Sequence, residues 1–312
     1  MMYTIETEEL TKRFGDLVAV DNLTLRVKEG EIFGFLGPNG AGKTTTVRML
    51  VGILTPSSGN ARVGGYDLLK ETERIKEIIG YMSQHFGLYE DLTVWENLTF
   101  YARLYLKDKR KSTLAANEVM ERFGLDFYRD HLVRNLSGGW RQRLGLACAM
   151  VHKPKIAFLD EPTAGIDPVT RRVIWDMLYE LAQGGTTLFV TTHYMEEAEH
   201  CNTIGFIWQG RLIACAQPSE VKERIMGEEV VRLRVEPFFP AFEFLKEMGE
   251  PIRDVNSYGD AIHLMVKDAK EALPVIEREL NSRGFSIKEL TKANPTIEDV
   301  FVYLSRKELK KG

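Results

Sequence analysis

Between Tyr3 and about Ile225, short runs of β-branched and aromatic residues alternate with stretches whose apolar positions recur every three or four residues. That alternation is the pattern of an α/β protein. The runs EIFGFLG, KIAFLD, TTLFVTT and TIGFIWQ hold few polar residues, which predicts buried strands. The first three end in glycine or polar residues beside a helix start, the place where parallel sheets bind ligands. From about 86 to 152 the period is helical, in TVWENLTFYARLYL, TLAANEVMERFG and GWRQRLGLACAMVH, so a helical subdomain set into the α/β core is expected. After AQPSEVKERIMG the pattern changes. EVVRLRV reads as strand, PAFEFLKEMG as helix, IRDVNS and AIHLMV as strands around a YGD turn, EALPVIERELNSRG as helix, FSIKEL as strand and TIEDVFVYLSRK as a last helix. The order βαββαβ plus one helix predicts a small ferredoxin-like α+β domain over 227–312, behind a first domain over 1–226.

The 312 residues suit about two domains at roughly 150 residues each, and 44% hydrophobic content excludes a disordered chain. With 41 basic against 45 acidic residues the formal charge is −4, so no basic face points to nucleic acid as the main partner. Cys148, Cys201 and Cys215 show no CxxC spacing and no even count, which excludes a disulfide framework or zinc site and leaves small buried residues as the expectation. No apolar run approaches the roughly 18–20 residues that cross a bilayer, and the start MMYTIETEEL is acidic where a signal peptide is basic. The expected location is cytoplasmic, with any membrane contact made through a partner.

The stretch GPNGAGKTT (Gly37, Pro38, Asn39, Gly40, Ala41, Gly42, Lys43, Thr44, Thr45) fits G-x-x-x-x-G-K-[ST] between a buried strand and a helix, where such a loop must sit to hold phosphate. Its glycines let backbone N–H groups turn inward, the helix N-terminus adds about half a positive charge, and Lys43 adds a whole one. Thr44 is placed to give its hydroxyl to Mg²⁺. In KIAFLDEP, Asp160 and Glu161 follow four apolar residues, so a buried strand can deliver one carboxylate to Mg²⁺ and the next to the water that attacks phosphate. A solvated acidic turn capping the next helix would use the same residue types; the phosphate loop in the same chain favours the catalytic reading. NLSGGWRQR then puts a serine and two glycines at another helix start, a second arrangement suited to phosphate.

Taken together, these motifs resemble those of the ATP-binding subunits of ABC transporters, over residues 3 to about 225. Leu136, Ser137, Gly138, Gly139 and Trp140 match that family's LSGGQ signature, with Trp140 in place of the usual glutamine. Gln84 in GYMSQHFGL resembles the glutamine that contacts Mg²⁺, water and the membrane subunit, although His85 follows it where proline is common. Asp167 in AGID resembles the D-loop aspartate at the dimer contact, and His193 in TTHYMEEAE the switch histidine. Phe14 in TKRFGD falls where an aromatic, often tyrosine, meets adenine. By themselves, Phe14 would serve as core packing and His193 as a histidine satisfied by local backbone.

The resemblance implies a P-loop ABC ATPase domain, a mixed-sheet core with a helical subdomain, acting as a homodimer. Two copies set head to tail would hold two ATP molecules with Mg²⁺, each gripped by the first cradle of one copy and by Ser137, Gly138 and Gly139 of the other. Glu161 polarises the attacking water, and His193 holds the γ-phosphate and orients Glu161. The expected partners are separate transmembrane permease subunits, met around Gln84 to Tyr105, where Phe86, Tyr89, Trp95, Phe100, Tyr101 and Tyr105 are either a docking patch or subdomain core. The opening TKRFGDLVAVDNLTL, the AQPSEV step and the end NPTIEDVFVYL resemble exporters. Two alternatives are a soluble ABC-type ATPase acting on ribosomes or DNA, and a different phosphate-loop enzyme; no N-K-x-D guanine reader is found for a GTPase. No catalytic constellation is found after residue 227, and His263 is read as structural.

Overall fold

The structure is a computed structural model and describes residues 2–84, 87–225 and 227–309. His85 and Phe86 lie outside the described residues. The chain divides into two compact units between Gln217 and Pro218.

The first unit opens on a long antiparallel pair, β1 (Tyr3–Phe14) and β2 (Leu17–Lys28). These strands were not among those predicted, because their alternation is interrupted: Glu9 and Asn22 sit at φ 50 and the register slips between Thr7 and Leu10. Bulges of this kind blur a period of two. Next come β3 (Ile32–Leu36), α1 (Lys43–Leu50), β4 (Ser58–Val63) and β5 (Tyr66–Asp67). Strands β2-β1-β4-β5 form one antiparallel sheet.

After α2 (Thr72–Ile78) and β6 (Ile79–Met82) the chain turns helical, with α3 (Val94–Leu106), α4 (Lys109–Arg122) and α5 (Gly138–Met150). Thr93 and Glu96 make a capping box at the start of α3, and Asp108 caps α4. The core then resumes with β7 (Ile156–Asp160), α6 (Pro168–Gln183), β8 (Thr187–Thr192), β9 (Thr203–Trp208) and β10 (Arg211–Ala216). The second sheet is six-stranded, in the order β10-β9-β3-β8-β7-β6, parallel except for β10. All four predicted strands lie in it. Every residue of β3, β7 and β8 is buried, as expected of strands covered on both faces.

One core cluster joins both sheets to α1. Phe33, Phe158 and Phe189 meet with ring centroids 5.2 to 5.5 Å apart, among Val47, Met49 and Leu50 of α1 and Ile5, Val20 and Leu25 of the hairpin. Each fully buried side chain of this size contributes about 1.5–3 kcal/mol. Gly80 on β6 lets α5 approach: a Cβ there would stand 2.3 Å from the Ala149 carbonyl oxygen. The cysteine expectation needs one correction. Cys148 and Cys201 are buried, but Cys215 is exposed, because β10 is the edge of its sheet and alternation turns that position outward.

The second unit begins with the single turn α7 (Pro218–Glu220) and a π-helical turn over Val221–Ile225. It continues as β11 (Glu229–Glu236), α8 (Phe238–Met248), β12 (Ile252–Tyr258), β13 (Ala261–Val266), α9 (Ala269–Ser282), β14 (Ser286–Ala293) and α10 (Ile297–Leu309). The sheet order β12-β13-β11-β14, antiparallel throughout, is ferredoxin-like. The division falls ahead of 226/227 because the π-helical turn packs on α10. His263 on β13 is buried with its Nδ1 3.0 Å from Asp299 Oδ2. Burial pushes the Asp299 carboxyl up, but the hydrogen bond from His263 and the donors of Thr296 outweigh it and hold the group below its usual range.

Candidate functional site

The site follows from strand register. Leu36 at the end of β3 pairs with Thr192 of β8, and Asp160 at the end of β7 pairs with Thr191. The loop after β3, the acids after β7 and the histidine after β8 are therefore neighbours at one edge of the sheet, although far apart in sequence.

The loop Gly37–Gly42 is shaped by glycine. A Cβ on Gly37 would lie 2.4 Å from the Ile207 carbonyl oxygen, and one on Gly42, at φ 108, 2.5 Å from that of Ala19. Only glycine fits either place. Gly40 also has positive φ, at 80, but faces open space. The N–H of Ala41 donates to Pro38 O at 3.2 Å, which tightens the loop. Gly42 is the N-cap of α1 and offers no side chain, so the first N–H groups of that helix stay available to an anion. Lys43, only 4% exposed, donates from Nζ to Gly37 O at 2.7 Å and Pro38 O at 3.1 Å. Asn39, Gly40, Gly42, Lys43, Thr44 and Thr45 line a cleft of about 340 Å³ that also takes in Gln84 and Glu161. Phe14 stands at its rim, 48% exposed, with Lys12 Nζ 5.2 Å from its ring centre. Phe14 is therefore not core packing.

Asp160 is buried, and its Oδ1 accepts from Thr44 Oγ1 at 3.2 Å and Thr191 Oγ1 at 2.6 Å. Its Oδ2 is buried without a hydrogen-bond partner. An orphaned carboxylate oxygen beside a threonine hydroxyl fits a hard divalent cation. No cluster of three or more His, Cys, Asp or Glu occurs among the described residues, so the protein would supply only part of the shell. That suits Mg²⁺, which keeps waters and takes phosphate oxygens.

Glu161 is where the side chains converge. It is 6% exposed, and its Oε1 lies 3.2 Å from Lys43 Nζ. Its Oε2 accepts from Gln84 Nε2 at 3.2 Å and lies 3.1 Å from His193 Nδ1. His193 Nδ1 makes no aligned hydrogen bond there, so the two groups are in contact without one. Glu161 has φ 54, a left-handed conformation that a non-glycine residue adopts at a cost of roughly 1–3 kcal/mol. What holds it there is Thr191, whose Oγ1 accepts the Glu161 N–H at 3.0 Å while the Thr191 carbonyl oxygen lies at 3.2 Å. Thr191 thus ties the Asp160 carboxylate to the Glu161 backbone, and the sequence reading missed it. The signal was the polar pair ending TTLFVTT.

The second cradle lies apart from this cleft. Ser137 is the N-cap of α5 but makes no capping bond, and both Ser137 and Gly138 are exposed, so the N–H groups of the first turn face outward. Gly139 is half-buried, and a Cβ on it would meet Thr170 Cγ2 at 2.5 Å. Trp140 turns away, its ring 4.4 Å from that of Tyr128 and under the Arg143 guanidinium at 4.4 Å. Asp167 caps α6, accepting from the N–H groups of Val169 and Thr170 at 3.0 Å. The Thr170 hydroxyl first, then these N–H groups, hold its carboxyl below the usual range. Ser137, Gly138, Gly139 and Asp167 are not among the residues lining the first cleft. One thread joins the two places: Gln142 Nε2 donates to Ala164 O at 3.1 Å, and the Ala164 N–H donates to Glu161 O at 3.1 Å.

Comparison with known proteins agrees with this geometry. A family profile described as ABC transporter matches residues 20–164, and one described as ATP-binding protein DrrA1-3-like, C-terminal domain, matches residues 217–304. The probable multidrug ABC transporter ATP-binding protein YbhF of Escherichia coli (strain K12) is 46% identical over 225 residues, 72% of this chain; the chain spans 39% of that relative's length. The daunorubicin resistance ATP-binding protein DrrA3 of Streptomyces coeruleorubidus is 37% identical over 304 residues, 96% of this chain and 95% of the relative. Among solved structures, a dimeric post-hydrolysis state of the ATP-binding cassette MJ0796 bound to ADP and Pi matches with a TM-score of 0.63 at 26% identity. It covers 68% of this chain and 98% of that one.

Proposed function

The chain belongs to the family of ABC transporter ATP-binding proteins, and from that premise we propose that it is the Mg²⁺-dependent ATPase of an exporter. Two copies close head to tail around two ATP molecules and drive separate transmembrane permease subunits from the cytoplasmic face of the membrane. The observation that carries this reading is the convergence of Lys43, Gln84 and His193 on the buried Glu161 carboxylate.

The residues divide the work by their chemistry. Lys43 and the free N–H groups at the start of α1 take the β- and γ-phosphates, and Phe14 stacks on the adenine. Thr44, Asp160 and Gln84 hold Mg²⁺, whose charge offsets that of the phosphate oxygens. Glu161 accepts the proton of the attacking water, and His193 steadies Glu161 and the γ-phosphate. These groups cover one side of the nucleotide only. The outward N–H groups of Ser137, Gly138 and Gly139 suit the other side of a second copy's nucleotide, with Asp167 at the contact. The exporter reading draws on the drug-resistance names of the relatives. For the permease, a cleft of about 590 Å³ lined by Ile53, Tyr81, Leu104, Tyr105 and His152, with Glu73, Lys76, Glu77 and Lys107, offers a seat of mixed apolar and charged character.

The test is Glu161→Gln. It removes the proton acceptor and keeps the shape, so turnover falls by about 10²- to 10⁴-fold while ATP binding persists. Steady-state ATPase and nucleotide titration measure both, and unchanged turnover would remove Glu161 from the reaction.

A further inference from the structure

Helix α3 leaves one stripe to solvent. Phe100, Arg103 and Leu104 recur at three and four residues, which places them on one face, and Lys107 follows as the C-cap; all are exposed, Phe100 at 42% and Leu104 at 58%. The first turn of α4 extends the surface. Lys109, Arg110 and Lys111 are exposed, and Leu114, one helical turn on from Arg110 and Lys111, is 61% exposed. The one acid inside this run, Asp108, is engaged as the cap of α4, accepting the Lys111 N–H at 2.7 Å. The nearest carboxylate further along α4 with a recorded ion pair, Glu118, holds Lys153 at 2.7 Å. Among the described residues, none of Arg103, Lys107, Lys109, Arg110 or Lys111 stands in an ion pair. In a chain of net charge −4 this is a concentrated positive surface, bounded on its Leu104 and Lys107 side by Glu77 and by Glu73, which pairs with Lys76 at 2.7 Å.

We infer that this surface contacts the anionic headgroups of the bilayer, with the cations on lipid phosphates and Leu104 and Leu114 entering the interfacial layer. Cations mixed with exposed leucine and phenylalanine are the composition of a peripheral lipid contact. A purely phosphate-binding surface such as a nucleic-acid site has no use for the apolar members. The surface is also continuous with the cleft assigned above to the permease, since Leu104 and Lys107 line both. The inference rests on the reading that the subunit works against a membrane.

The full chain is to be floated with vesicles of phosphatidylcholine alone and of phosphatidylcholine with phosphatidylglycerol in equal parts, without nucleotide, while its ATPase activity is assayed separately. Binding is expected to the anionic vesicles only and to weaken with salt. Each cation near such a surface contributes roughly fivefold in partition, so the combined Lys109→Gln, Arg110→Gln and Lys111→Gln variant should bind about a hundredfold less. Its ATPase and melting temperature should match the parent's. Leu104→Ser should reduce binding without altering the salt dependence. Failure of the parent chain to bind anionic vesicles overturns the inference, as does undiminished binding by the triple variant. If the parent ignores lipid and the triple variant instead fails to assemble with the permease, the surface meets an acidic protein face and the lipid contact is wrong. A parent without ATPase activity would count against the functional reading, which the vesicle assay does not touch.

Discussion

Thr191 shows what a single residue does here that its own neighbourhood in the sequence does not reveal. Its hydroxyl donates to Asp160 Oδ1 and accepts from the Glu161 N–H, so it fixes the Asp160 carboxylate and a strained backbone at once. Thr191→Val keeps the shape and loses both bonds. Hydrogen bonds to charged groups are worth roughly 1.5–3 kcal/mol, so kcat should fall about ten- to a hundredfold and the Mg²⁺ needed for half-maximal rate should rise. Thr191→Ser should restore both; a valine variant with the parent's Mg²⁺ titration would show that the hydroxyl is dispensable. Lys43, Asp160 and Glu161 could be read from the sequence because each sits in a contiguous motif with its strand. Thr191 could not, since its role depends on a register between two strands distant along the chain. Asp299 makes the same point in the second unit. Its carboxyl is held below the usual range, so the unfolded chain binds more protons in acid. The stability it confers is present above the unfolded value, near 4, and is lost as pH falls through the folded one. Asp299→Asn should flatten that acid limb of thermal unfolding; an unchanged limb would assign it to other groups.

At the scale of elements, the two helix starts that bear N–H groups differ in what closes them. The start of α1 faces its own cleft, while that of α5 faces outward beside the Asp167 cap of α6. Gly139 sets the second spacing. Gly139→Ala drives a methyl group into Thr170, whose hydroxyl is bound to Asp167. Overpacking of this kind costs roughly 1–3 kcal/mol, so ATPase should drop by about tenfold or more while a single copy binds fluorescent ATP with the parent's affinity. Equal loss of both would place Gly139 in the first cleft instead. Helix α5 is buried continuously from Leu144 to Met150 and carries no apolar stripe, whereas the helix periods of α3 and α4 were legible because apolar spacing survives tertiary packing. The β1–β2 hairpin was not, since bulges at Glu9 and Asn22 shift which face each residue takes.

For the whole molecule, the proposed sharing of each nucleotide between two cradles makes a single copy incomplete. A ligand that bridges two copies shifts them toward the closed pair in proportion to its preference for that state. With hydrolysis blocked by Glu161→Gln, light scattering should show a mass doubling on addition of ATP and not of ADP. A persistent single mass at saturating ATP would contradict the head-to-tail arrangement. The strand–helix order of the second unit was legible from the sequence, and its ferredoxin-like sheet follows that order, but the start of the unit was not. The segment 218–225 carries no break in composition; its packing on α10 and the family match that begins at 217 assign it.

Gly80 gives α5 a place to pivot. One end of the rod presses its Ala149 carbonyl onto that glycine on an edge strand, and the other carries Ser137. Thirteen residues make a lever arm of about 20 Å, so a tilt of roughly ten degrees at the fulcrum sweeps the far tip through about 3–4 Å. The same strand leads directly to Gln84, so in the proposed dimer a push delivered there would move the tip meant for the other copy.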